Sequence, residues 1–102
     1  MPTPSYLIMD EIKPMRKQYQ EEGLYEESMV TDLIDDHVDA LKSQYYNAEE
    51  YYEKVVERIN SLLSMDSFSE PAREVMNRIL NDIVLPHQAR FLDQKKEWLA
   101  NQ

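Results

Sequence analysis

The sequence has no cysteine and one glycine, Gly23, in 102 residues. Without cysteine there is no disulfide framework, no thiolate metal site and no thiol nucleophile. One glycine cannot build a phosphate-cradling loop, and β-hairpins lean on glycine for their tight turns. The scarcity points to helices joined by short connections. There is no G-x-S-x-G or S-x-x-K pattern to activate a serine, and no N-x-S/T sequon. Apolar runs fall short of the ~18 residues of a membrane span. Met1–Pro14 lacks the basic start and long apolar stretch of a signal peptide, so a cytoplasmic setting is expected. The length suits one domain, residues 1–102.

Basic residues are also scarce, and unevenly so. Lys and Arg number 11 against 20 Asp and Glu, a net charge of −9. From Glu21 to Glu53 eleven acids face one base, Lys42, whereas Lys54–Gln102 holds seven of each. Such a field repels nucleic acid and anionic membranes, and attracts cations or a basic protein surface.

The apolar spacing is helical throughout. Thr3-Pro4 opens a first helix carrying Ile8, Ile12, Met15 and Tyr19, with Pro14 expected to kink or split it and Gly23 to end it. A second runs from about Glu26 to Tyr46, with Val30, Leu33, Ile34, Val38, Leu41 and Tyr45 on one face. Asn47 and Glu50 form a capping box for a third, unless the second and third make one rod. The third buries Tyr52, Val55, Val56, Ile59, Leu62 and Leu63. Asp66–Ser69 breaks the pattern, and Ser67 or Ser69 caps a fourth helix with Ala72, Val75, Met76, Ile79, Leu80 and Ile83 inward. Pro86 is expected to bend or end it before a last helix marked by Phe91, Leu92, Trp98 and Leu99. The expectation is an all-α bundle of four to five helices, proline-bent near Pro14 and Pro86.

Asp32, Asp35, Asp36 and Asp39 fall within an arc of about 100° opposite that apolar stripe, on the face expected to meet solvent. Like charges at this spacing cost an isolated helix about 0.2–0.5 kcal/mol per pair, and aspartate is a poor helix former. The comb reads either as a solvated face or as a contact surface for a basic partner, with hard-cation binding a further reading. Neighbouring residues in a helix are about 100° apart, so the pairs Tyr45-Tyr46 and Tyr51-Tyr52 cannot share one narrow stripe. Tyr46 and Tyr51 are expected at the flanks or outside, where tyrosine suits an interface. His37 reads as a hydrogen-bonded residue in the apolar stripe, and His87 as a partner of the last carbonyls of helix four. Arg90, Lys95, Lys96 and Trp98 form the one basic-aromatic cluster, fit to meet the acidic part of this chain or of a second copy.

Glu49, Glu50 and Glu53 spell E-E-x-x-E on a helix. This resembles the first half of the metal-binding signature of the all-α nucleoside-triphosphate pyrophosphohydrolases, the MazG-like and related families. The resemblance implies carboxylates on two helices holding Mg²⁺. The second half, E-x-x-D, is met only by Glu74-Val-Met-Asn77, with asparagine in place of aspartate. Three function classes follow. The first is a non-catalytic interaction module without a cofactor, an inhibitor or regulator whose acidic comb and Tyr46 and Tyr51 meet a basic protein surface. The second is a Mg²⁺-dependent nucleotide hydrolase on Glu49, Glu50, Glu53 and Glu74. The third is an assembly subunit that self-associates through apolar edges.

Overall fold

Thr3 and Pro4 do start a helix. In the computed structural model, which describes residues 3–102, α1 spans Pro4–Glu21, and it is followed by α2 (Tyr25–Lys42), α3 (Ala48–Leu63), α4 (Glu70–Ile79) and α5 (Leu85–Ala100). A π turn, Leu80–Val84, fuses α4 and α5 into one run. The result is a bundle of four rods, with no strand among the described residues. No helix among them is long and apolar enough to cross a membrane.

Local chemistry sets most boundaries. Gly23 adopts φ +73°, which lets the Leu24 N–H reach the Tyr19 carbonyl (2.8 Å) and the Gly23 N–H reach that of Gln20 (3.2 Å). These two bonds close α1 as a Schellman motif. Asn47 caps α3 by accepting from the Glu50 N–H at 3.0 Å, so α2 and α3 are separate helices and not one rod. Of the two serines proposed for α4, Ser69 is the cap, accepting from the Ala72 N–H at 3.3 Å. Arg73 had no role among the sequence expectations. Its guanidinium donates to the carbonyls of Leu63 (2.7 Å), Met65 (2.5 Å) and Phe68 (3.3 Å), satisfying the end of α3 and the loop after it.

Neither proline interrupts its rod. Pro14 does not split α1; it lies on the exposed side, as does Asp10, whose carbonyl loses its helical donor and is left to water. Pro86 does not end the last rod. The turn before it widens, with the Leu85 N–H bonded to the Leu80 carbonyl in a π pattern. That extra residue relieves the clash a proline ring makes with the carbonyl four residues back. It also keeps Leu80, Ile83 and Val84 all facing inward.

The core lies between all four rods. Ile8 and Ile12 of α1, Ile34 and Val38 of α2, Val55 and Ile59 of α3, and Met76, Ile79 and Val84 of the last rod are almost fully buried. Each aliphatic side chain of this kind contributes about 1.5–3 kcal/mol. Burial stops part-way along the last rod: Phe91 is half-buried, and every residue from Leu92 onward is exposed. The chain is accordingly elongated, 51 × 27 × 22 Å.

Candidate functional site

The four aspartates of the comb do not form one solvated face. Arg16, reaching across from α1, lies 3.1 Å from Asp32 Oδ1 and 3.7 Å from Asp35 Oδ2. Asp35 is half-buried, with its side chain 18% exposed and its Oδ1 buried without a hydrogen-bond partner. Burial pushes its carboxyl above the ordinary aspartate range; Arg16 offsets part of this, and the charges of Asp36 and Asp32 add to it. The expectation that all four face water is thus corrected at Asp35, because α1 packs along that flank of α2. Asp39 pairs with Lys42 at 2.9 Å. Asp36 alone of the four has no ion-pair partner among the described residues.

Asp36 stands on the rim of a groove of about 530 Å³ between the first half of α2 and the start of α4. Met29, Val30 and Leu33 of α2 line it from one side, and Phe68 and Ala72 from the other. Glu26, Asp32 and Asp36 add carboxylates to that lining. Glu26 also accepts from the Ser69 hydroxyl, which ties the groove's end to the α4 cap. Met29 is 70% exposed and adds apolar surface to the groove. Sequence reading passed over Glu26, Met29 and Phe68 as site residues. The signal was there: Glu26, Met29, Leu33 and Asp36 recur at three, four and three residues, a second stripe beside the core stripe.

The tyrosines divide sharply. Tyr46 is 90% exposed, as expected of a contact residue, whereas Tyr51 is 2% exposed. Tyr51 donates to the Val38 carbonyl of α2 at 2.8 Å, and burial pushes its hydroxyl well above the ordinary tyrosine range. Tyr52 turns the other way, its ring 5.7 Å from that of Phe91 on α5. Both rings are buried because α3 begins between two neighbours, which gives its first turn a buried arc wider than one stripe. Tyr51 is therefore a structural residue, not the expected contact residue. Tyr46 lines a separate cleft of about 280 Å³ with Tyr6, Tyr45 and Lys42. Lys42 sits 4.8 Å above the Tyr6 ring.

His37 is half-buried beside the core, and the Arg58 guanidinium lies 2.8 Å from its Nδ1. Since Arg58 can only donate, Nδ1 accepts and Nε2 carries the proton. Burial, then the Arg58 charge, lowers its affinity for a second proton. His87 is not at a helix end, because the rod continues past Pro86; it pairs with Glu11 of α1 instead.

The glutamates of the hydrolase-like pattern are dispersed. Glu49 pairs with Lys95, Glu50 and Glu53 point to solvent, and Glu74 lies in a cleft beside Tyr19 and Arg78. Among the described residues no three histidine, aspartate or glutamate side chains are arranged to hold a metal ion. No protein-family model, curated protein or solved structure matches this chain.

Proposed function

We propose that the chain is a non-catalytic protein-interaction module of the cytoplasm, an inhibitor or regulator whose groove between α2 and α4 receives a basic, amphipathic helix of a protein partner. The observation that carries this reading is the presence in one groove of an exposed apolar side chain, Met29, and an acid, Asp36, that no cation among the described residues neutralises. Leu33 and Phe68 offer apolar contact to one face of such a helix, and Glu26 and Asp36 offer charge to its flanking lysines or arginines. The excess of acid from Glu21 to Glu53 speeds the approach of a basic partner and disfavours nucleic acid.

A labelled helical peptide of alternating leucine and lysine faces, titrated by fluorescence anisotropy, tests this. Saturable binding is expected, weakening as salt rises and weakening again in Met29→Ala and in Asp36→Asn. Binding that ignored salt and both substitutions would remove the groove from consideration.

A further inference from the structure

A cleft of about 390 Å³ lies between the starts of α1 and α3 and the first half of α5. Pro4, Leu7 and Phe91 give it half-buried apolar walls. Two hydrogen-bond donors stand in it without partners. Tyr52 lines the cleft and is 2% exposed, yet its hydroxyl makes no hydrogen bond among the described residues. Tyr51 is as deeply buried, and its hydroxyl donates to the Val38 carbonyl. A hydroxyl buried without a partner is costly, and a bound acceptor removes the cost. Arg90 is the second donor. It lines the same cleft and has no ion pair or hydrogen bond among the described residues. Burial pushes the Tyr52 hydroxyl above the ordinary tyrosine range, and the neighbouring Arg90 guanidinium offsets part of this. The two donors are thus close enough to act on one group.

The acids beside the lining residues are already engaged. Glu11 pairs with His87, and Glu49 with Lys95, beyond which α5 overhangs the bundle with every residue exposed. α1 begins at Pro4, in the cleft, with no acid in its first turn, so the positive end of its dipole is uncompensated there. Two donors beside apolar walls suit a group that only accepts, carried on an apolar body. A carboxylate is such a group: the guanidinium fork grips both oxygens and the hydroxyl donates to one of them. One free cation matches one negative charge. A phosphate dianion would bring a second charge towards Glu11 and Glu49 with no cation to meet it. The volume is that of a small-ligand site.

We propose that the cleft between α1, α3 and α5 binds a small monocarboxylic acid. Arg90 and Tyr52 hold its carboxylate, and Pro4, Leu7 and Phe91 receive its apolar body. The site is separate from the groove between α2 and α4 and does not depend on what binds there.

The test is calorimetric titration of the full chain with naphthylacetate, and with naphthylacetamide and naphthyl phosphate for comparison. Naphthylacetate should bind saturably at one site, and the neutral amide and the phosphate at least about tenfold more weakly. Arg90→Gln should weaken naphthylacetate binding at least about tenfold, and Tyr52→Phe about three- to tenfold. Lys17→Gln, an equal loss of charge at an exposed position of α1, should change it less than about twofold. Tyr52→Phe also separates binding from structure. Its hydroxyl has no partner in the fold, so the urea midpoint should hold while binding falls. A midpoint that fell with binding would make the hydroxyl structural and overturn its role. Absent saturation, equal binding of the amide, or binding that survives both Arg90→Gln and Tyr52→Phe would overturn the site. Tighter binding of the phosphate would overturn the carboxylate assignment.

Discussion

The two halves of the last rod carry the same kind of apolar stripe and meet opposite fates. In α4, Ala72, Val75, Met76 and Ile79 are buried; in α5, none of the residues is. Periodicity creates a face on a helix, and only a neighbour makes that face a core. α4 lies against α2 and α3, whereas α5 outruns α3 after Lys95. The same contrast between covered and uncovered copies of one residue type recurs at the tyrosines and at the aspartates.

The largest effect expected from this contrast is at the aliphatic core. Ile79→Ala should cost about 2–5 kcal/mol of unfolding free energy, the range for a large core side chain cut to alanine. Trp98→Ala, the removal of a larger side chain, should stay within about 0.5 kcal/mol in urea unfolding of the dilute monomer. Comparable losses at the two sites would mean that the overhang folds back onto the bundle and that the contrast is false.

Tyr51 and Tyr46 sharpen it further. Tyr51→Phe removes a buried hydrogen bond and should cost about 0.5–1.5 kcal/mol, while Tyr46→Phe should be silent. Alkaline pH adds a signature. The unfolded chain releases the tyrosine proton near its ordinary value of about 10. Folded Tyr51 holds it to higher pH, because burial disfavours the phenolate. Above that ordinary value the unfolded state binds fewer protons than the folded one, so stability falls as pH rises. Tyr51→Phe should flatten this fall without abolishing it, since burial also raises Tyr52. A slope unchanged by Tyr51→Phe would place the alkaline sensitivity elsewhere.

Helix number, the caps at Asn47 and Ser69, the stop at Gly23 and nearly all of the core were legible because they follow from local spacing and local hydrogen bonds. What was illegible depended on neighbours distant in sequence. Nothing around Tyr51 announces that α2 and α5 flank the first turn of α3. Nothing around Arg73 announces three carbonyls waiting at the end of α3 and in the loop after it. Pro86 read as a bend or a stop, and the widened turn that carries the rod past it cannot be inferred from a proline alone. The acidic comb was legible as charge. Its division between Arg16, Lys42 and an open groove was not, because that depends on which flank of α2 each helix covers.

Asp35 and Asp36 give the smallest and most discriminating comparison, adjacent residues of one type with one flank covered and the other open. Burial raises the Asp35 carboxyl, so its ionised form is disfavoured in the folded state despite Arg16. Below the ordinary aspartate value of about 3.9 the group is protonated both folded and unfolded and exerts no such cost. As pH rises through that value the unfolded chain ionises first, and by neutral pH the cost is complete. Asp35→Asn should therefore raise the unfolding free energy measured in urea at pH 7, by less than about 1 kcal/mol, and the gain should vanish towards pH 3. Asp36→Asn should instead weaken binding in the groove. A fall at pH 7 in Asp35→Asn would show that the ion pair with Arg16 outweighs the burial of the carboxylate, and that this flank of the comb is held by charge and not merely tolerated.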